Sequence, residues 1–258
     1  MKKDIKYLAG KKNSGIPITM ITAYDFPAAQ IMDEAGIDSV LVGDSVGTNY
    51  LGLTSEREVT INDMLHHTGA VRRGVNNAFL IADLPYGCAD DLETALESSR
   101  LLTERGADCV KIEGWGEKSD IVRGLVDNGY TVCAHIGYNP QIHDKPALFG
   151  KDTNQAKELL DSALLLEEAG ASLIVIEMTP AELAKEISSA LKIPTIGIGS
   201  GSGCDGQVLV INDLLGMSPK LFKHVRRFAN LRQTLLDSFS AYAAAVEKRE
   251  FPAKETPC

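Results

Sequence analysis

The chain of 258 residues is 44% hydrophobic and 24% charged, enough to bury a full core without disulfide or metal staples. Twenty-six basic against 35 acidic side chains give a net charge of −9, which argues against a nucleic-acid or anionic-membrane surface. The five cysteines (Cys88, Cys109, Cys133, Cys204 and Cys258) include no C-x-x-C pair and read as reduced thiols in a cytoplasmic protein.

The start, Met1-Lys-Lys-Asp-Ile-Lys6, leads into no long apolar run, so neither a signal peptide nor a membrane span is expected. Residues 1–15 read as a short lead-in helix and a turn. Pro17 to Thr22 is the first strand, and Phe26 to Ala35 has helical spacing that stops at Gly36. Ser39 to Gly43 is the second strand, followed by a loop from Val46 to Val59 and a helix over about Thr60 to Arg73. The third strand, Phe79 to Ala82, ends at Asp83, and a helix over Asp90 to Arg105 stops at Gly106. Cys109-Val110-Lys111-Ile112-Glu113-Gly114 is a buried strand whose Lys111 and Glu113 share a face, because strand side chains repeat every two residues. Thr131 to Ala134 leads to His135, and Leu173 to Ile176 leads to Glu177. Pro194 to Gly199 is followed by the loop Ser200 to Gly206, and Gln207 to Ile211 is an eighth strand candidate.

Glu34-Ala-Gly36, Glu104-Arg-Gly106 and Glu168-Ala-Gly170 each close a helix and hand over to a strand, a weak internal repeat of one βα unit. The strand tips at 44, 83, 113, 135 and 177 are spaced widely enough for the intervening helix that parallel pairing requires. Eight such strands predict an α/β protein, a (β/α)8 TIM barrel forming a single domain over residues 1–258. The competing doubly wound sheet would not gather five strand tips around one centre. The stretch from Phe222 to Val246 is amphipathic, with Val225, Phe228, Leu235, Phe239, Tyr242 and Val246 on one stripe. This long C-terminal helix either caps the barrel or packs against a neighbouring subunit.

Five strands thus each deliver one polar group to the same end. Asp44, Asp83 and Glu113, gathered there, repel one another and call for a cation, and an all-oxygen carboxylate set suits a hard ion such as Mg²⁺. Glu177, behind an apolar strand, is either a carboxyl with a raised pKa that serves as a base or one partner of an ion pair. His135 either orients a substrate oxygen or is a satisfied interior histidine. Lys111 either binds a substrate carboxylate or forms an internal salt bridge. His66 and His67, being adjacent on a helix, point apart and make no ligand pair. Gly43-Asp-Ser45-Val-Gly47 matches the G-x-S-x-G pattern of serine hydrolases, but that motif needs a helix directly after the serine, where this sequence reads as loop. The Gly199–Gly206 loop sits where barrels bind phosphate, yet lacks the Lys-Ser/Thr ending of a P-loop and reads as a turn.

With these residues collected, the sequence resembles the ketopantoate hydroxymethyltransferase family, a branch of the phosphoenolpyruvate mutase/isocitrate lyase type of barrel. The resemblance runs from Ile21-Thr-Ala-Tyr-Asp25 to Glu247-Lys-Arg-Glu-Phe-Pro252. It is carried by Leu41-Val-Gly-Asp-Ser45, His67-Thr-Gly-Ala-Val-Arg-Arg-Gly74, Ala82-Asp-Leu-Pro85, Val110-Lys-Ile-Glu-Gly114, His135-Ile-Gly137 and Asp205-Gly-Gln-Val-Leu-Val210. The resemblance implies that Asp44, Asp83 and Glu113 are Mg²⁺ ligands and Glu177 is the catalytic base. It further implies that Asp44, Ser45, Asp83, Lys111 and His135 bind substrate. The implied reaction moves a hydroxymethyl group from the cosubstrate 5,10-methylenetetrahydrofolate to 3-methyl-2-oxobutanoate, in pantothenate biosynthesis. A homo-oligomer, a decamer or smaller, is implied too. Two stretches depart from the family pattern. Thr54-Ser-Glu-Arg-Glu-Val59 replaces the usual D-S-T-L-P-V. Gly137-Tyr-Asn-Pro-Gln141, with Lys145 to Lys151 beyond it, replaces G-L-T-P-Q and the segment that follows. Both fall in predicted loops at strand carboxyl ends, where a barrel sets its specificity. The alternatives are therefore a related metal-dependent lyase or aldolase of another 2-oxo acid, and a ligand-binding paralogue without turnover.

Overall fold

The computed structural model describes residues 2–143, 145–218, 222 and 225–252. Eight parallel strands close into a barrel in sequence order: β1 (Ile18–Thr22), β2 (Ser39–Val42), β3 (Phe79–Asp83), β4 (Cys109–Lys111), β5 (Val132–Gly137), β6 (Leu173–Glu177), β7 (Thr195–Ile198) and β8 (Gly206–Leu209). β1 pairs with β8 to complete the ring, with Met20 opposite Val208. This is the expected (β/α)8 architecture, with β8 ending two residues earlier than its sequence suggests.

Between the strands run α2 (Phe26–Glu34), α3 (Ile61–Gly74), α4 (Leu92–Glu104), α5 (Ser119–Asp127), α6 (Thr153–Glu168) and α7 (Ala181–Ala190), while α1 (Ile5–Asn13) precedes the first strand. Five of these seven helices begin on a side chain that accepts from their own free N–H groups: Asp4, Asp25, Thr60, Asp91 and Asp152. The barrel interior is filled by Ile18, Met20, Leu41, Phe79, Ile81, Cys109, Cys133, Leu173, Val175, Ile196 and Val208, with Leu8 of α1 buried among them. The lead-in helix therefore supplies part of the core. It is tied down at Asp38, whose carboxylate accepts from Lys11 Nζ at 2.5 Å, the Tyr7 hydroxyl at 2.9 Å and the Thr19 amide at 2.9 Å.

The segment expected to be a plain loop after Ser45 holds two short turns, a π-helical turn at Gly47–Leu51 and a 3-10 turn at Glu56–Glu58. Neither is long enough to show as periodicity. The second is fixed by a capping box in which Ser55 and Glu58 satisfy each other's backbone N–H groups.

By compactness the chain divides into Met1–Val210 and Ile211–Cys258. The second unit contains α8 (Ile211–Leu214) and α9 (Leu231–Glu247), joined internally by the Leu231 N–H donating to the Leu215 carbonyl at 2.9 Å. The amphipathic stretch expected over Phe222 to Val246 becomes helical only from Leu231. Of its stripe, Leu235, Phe239, Tyr242 and Val246 lie on α9, while Val225 and Phe228 precede it; residues 223 and 224 are outside those described, as is Cys258. Among the described residues, no helix is long and apolar enough to cross a membrane.

Candidate active site

Strand parity builds most of the site. Ile81, Cys109, Cys133 and Val175 point into the barrel core. Two residues further along the same strands come Asp83, Lys111, His135 and Glu177, and two beyond Lys111 comes Glu113. Asp83, Lys111, His135 and Glu177 are thus each the next inward position above an apolar one, and Glu113 is the next above Lys111. Asp44 breaks this phase. It lies in a turn two residues past the end of β2, and its own amide N–H donates to Asp83 Oδ2 at 3.0 Å. Gly43 permits that approach, since a Cβ there would meet Ser45 Oγ at 2.8 Å and Asp83 Oδ2 at 3.4 Å.

Asp44, Asp83, Lys111, Glu113 and His135 are each no more than 5% exposed. One oxygen from each of Asp44, Asp83 and Glu113 lies within 4.8 Å of the other two, the one metal-ligand grouping of this kind among the described residues. Lys111 Nζ stands 3.0 Å from Asp83 Oδ1 and pairs with Glu113 Oε1. His135 bridges two acids, with Nδ1 2.5 Å from Glu113 Oε2 and Nε2 3.7 Å from Glu177 Oε2. Despite these short distances, Asp83 Oδ1, Glu113 Oε2 and both ring nitrogens of His135 receive no hydrogen bond of acceptable angle. Each of these atoms is buried beside a charged or polar neighbour without a well-directed hydrogen bond to it.

The electrostatics follow from this packing. Burial and the neighbouring Asp83 and Glu113 raise the Asp44 carboxyl well above its usual range. Burial likewise raises Asp83, opposed by Lys111. Burial works against ionisation of Glu113 too, but His135 and Lys111 outweigh it and hold this carboxyl at about 2. Lys111 is desolvated, yet the three surrounding carboxylates keep it firmly protonated. With all three carboxylates ionised, one ammonium would leave two negative charges in a buried site, and the Asp44 carboxyl accordingly resists ionisation. A divalent cation with oxygen ligands fits that deficit and the orphaned oxygens of Asp83 and Glu113. Glu177 stands apart: its side chain is 23% exposed, and desolvation pushes its pKa up to about 7 against the opposing pull of His135.

Ser45 Oγ shares a 2.8 Å hydrogen bond with the hydroxyl of Tyr24, a buried side chain just past β1. A helical turn does follow Ser45, so the absence of a helix is no argument against a nucleophilic serine. The argument is its partner, which is a tyrosine and not a histidine. His67 Nδ1 lies 2.6 Å from the Tyr24 carbonyl, and the rings of His66 and His67 stand edge to face at 5.3 Å; they form no metal group. In the loop after β7, Ser200 Oγ donates to the Ile176 carbonyl at 2.8 Å and accepts from the Thr179 amide at 3.1 Å, a strut between strands.

The two stretches that depart from the family pattern meet each other. Arg57 Nε donates to the Gln141 carbonyl at 2.7 Å and Nη2 to the Ile142 carbonyl at 2.5 Å. Gln141 in turn donates from Nε2 to Asp44 Oδ2 at 2.8 Å and to the Leu84 carbonyl at 3.2 Å. Beyond it, Tyr138, His143, Phe149 and Trp115 form an aromatic cluster, with His143 and Phe149 ring centres 4.5 Å apart. Tyr24, Gln141 and Arg57 escaped the sequence reading. Tyr24 carried one usable signal, its place at a strand tip beside the five ionisable ones. The other two lie in the stretches marked as departures from the family pattern, but nothing there singled them out or paired them, because the path of a loop is not written in periodicity.

A family profile described as ketopantoate hydroxymethyltransferase matches residues 2–254. A curated relative from Roseiflexus sp. (strain RS-1), named 3-methyl-2-oxobutanoate hydroxymethyltransferase, is 44% identical over 260 residues, spanning 99% of this chain and 94% of its own length. Among solved structures, one titled 2,3-dimethylmalate lyase, a PEP mutase/isocitrate lyase superfamily member, superposes with a TM-score of 0.62 at 16% identity, covering 100% of this chain and 93% of the other. A phosphonopyruvate hydrolase in complex with oxalate and Mg²⁺ gives a TM-score of 0.65 at 14% identity, covering 100% and 92%. At such identities these two likenesses speak for the fold alone.

Proposed function

The chain belongs to the ketopantoate hydroxymethyltransferase family, and from that premise we propose that it transfers a hydroxymethyl group from 5,10-methylenetetrahydrofolate to 3-methyl-2-oxobutanoate with the help of Mg²⁺. The observation that carries this reading is the separation of two kinds of carboxylate in one site. Asp44, Asp83 and Glu113 form a buried, charge-deficient cluster, while Glu177, poised near neutrality, faces it across His135.

Asp44, Asp83 and Glu113 would hold the cation, which when bound supplies a Lewis acid that stabilises charge developing on a 2-oxo group. Lys111, kept protonated, adds fixed positive charge beside the substrate carboxylate. Ser45, set by its bond to Tyr24, offers the acid a hydroxyl. Glu177 accepts the C3 proton, and a pKa near 7 makes it ionised enough to act yet basic enough to pull. Water cleaves the two C–N bonds of the folate's methylene bridge, which frees tetrahydrofolate and leaves the carbon at the formaldehyde level. The electron pair left on C3 forms the new C–C bond to that carbon, and its C=O π pair becomes a hydroxyl that takes back the proton held by Glu177. His135, between Glu113 and Glu177, orients both acids and a substrate oxygen. The apolar residues of α9, of which Leu236, Phe239, Tyr242 and Val246 are exposed, support assembly into a homo-oligomer. A cytoplasmic biosynthetic enzyme is the setting that fits these substrates.

Proton NMR in D₂O tests the reading in two stages. With Mg²⁺ and 3-methyl-2-oxobutanoate, the C3 proton signal should disappear, and adding methylenetetrahydrofolate should yield ketopantoate. Exchange without product would move the assignment to a lyase or aldolase of the same barrel type. Absence of exchange with metal bound would reject this acceptor.

A further inference from the structure

We infer that Gln141 is a positioning residue that fixes the rotation of the Asp44 carboxylate towards the acid cluster, and that Arg57 is the clamp that keeps Gln141 there. The inference rests on the metal-binding reading of Asp44, Asp83 and Glu113.

The two oxygens of a carboxylate are equivalent, but the plane they define is free to rotate about the Cβ–Cγ bond and so to swing both off the line of a ligand site. Gln141 removes that freedom. Its amide nitrogen has two hydrogens and both are spent, one on Asp44 Oδ2 at 2.8 Å and one on the Leu84 carbonyl at 3.2 Å. The Leu84 carbonyl is fixed backbone just past β3, so the amide is anchored at one end and holds Asp44 at the other. With Oδ2 held by Gln141, the plane of the Asp44 carboxylate is set, and an oxygen of it lies within 4.8 Å of one from Asp83 and one from Glu113. Gln141 is only 8% exposed, so water does not readily replace it.

Gln141 sits on a loop, and a loop needs an external tie to hold a side chain to within a fraction of an ångström. Asn139 provides one from inside, its Oδ1 accepting from the Gln141 amide at 2.8 Å. Arg57 provides the other from across the barrel mouth. Its planar fork takes two consecutive carbonyls, Gln141 and Ile142, at 2.7 and 2.5 Å, and it stands on a turn already fixed by its own capping box. The chain of support therefore runs from Arg57 to the Gln141 backbone, to the Gln141 amide, to Asp44.

Mn²⁺ titration followed by electron paramagnetic resonance tests this without turnover, on metal-free full-length protein. Gln141→Leu should weaken Mn²⁺ binding by about 10-fold or more, the usual scale for losing an outer partner of a metal ligand. Arg57→Ala should weaken it by a smaller factor, and Arg57→Lys, which can hold one carbonyl, should recover part of the loss. Melting temperatures measured alongside distinguish a displaced ligand from a damaged fold. Asp83→Asn is the control for the site itself. If the parent binds Mn²⁺, Asp83→Asn abolishes binding, and folded Gln141→Leu binds as the parent does, the positioning role is overturned while the metal site stands. If Gln141→Leu does not fold, Arg57→Ala decides: unchanged affinity overturns the clamp. Equal binding by the parent and Asp83→Asn overturns the metal reading and this inference with it.

Discussion

Glu177 shows how one position on one strand acquires chemistry. Val175 below it is core, and the step of two residues carries the side chain from the packed interior to the mouth, where burial without a close cation lifts its pKa to about 7. A base must be ionised to act, so kcat/KM should rise with pH on an acid limb centred near 7. Glu177→Gln should abolish that limb and lower kcat by about 10²- to 10⁴-fold, the range for a lost general base. The same substitution should change stability in a telling direction. A raised carboxyl pKa means that the folded state disfavours the ionised form, a cost fully present above pH 7 and relieved as the pH falls through 7 towards the unfolded value near 4.5. Glu177→Gln should therefore raise the melting temperature more at pH 8 than at pH 5. An equal change at both pH values would place the side chain in an ordinary polar setting.

At the scale of elements, α1 is the piece whose importance the sequence hides. It reads as a lead-in because little of it is apolar: Leu8 alone is fully buried in the core, with Ile5 packed against that core from the side. Asp38 is the other half of the attachment. Burial opposes its ionisation, but Lys11, the Thr19 amide and Tyr7 outweigh burial and hold its pKa at about 2, below the ordinary 3.8. A depressed carboxyl pKa contributes stability that is present above about 3.8 and lost as the pH falls through about 2. Asp38→Asn should thus cost about 2 kcal/mol in urea unfolding at pH 7, and the gap between variant and parent should narrow below pH 4. The strands, by contrast, were legible. An apolar run ending on one ionisable residue, repeated five times and in three of them behind the helix-terminating glycines Gly36, Gly106 and Gly170, has few physical explanations other than a ring of parallel strands with a shared polar end. Asp83, Lys111, Glu113, His135 and Glu177 could be placed for that reason. Asp44 could be chosen but not oriented, since it sits beyond its strand in a turn allowed by Gly43. Arg57 and Gln141 were out of reach, because their meeting depends on where two loops travel after their strands end.

For the molecule as a whole, the barrel divides its duties by depth. The lower layers are apolar and fully packed, and the layer above them holds nearly all of the buried charge. Cys109 and Cys133 lie at the boundary, each two residues below a functional side chain, and burial raises both thiol pKa values. Cys88 and Cys204 are partly exposed. The boundary thiols therefore form a built-in clock. An alkylating reagent should modify Cys88 ahead of Cys204, whose thiol burial pushes up to about 11, and reach Cys109 and Cys133 only when the barrel itself opens. Peptide-resolved mass spectrometry of the slow pair would then time the opening of the floor beneath the acid cluster, separately from any motion of the loops above it.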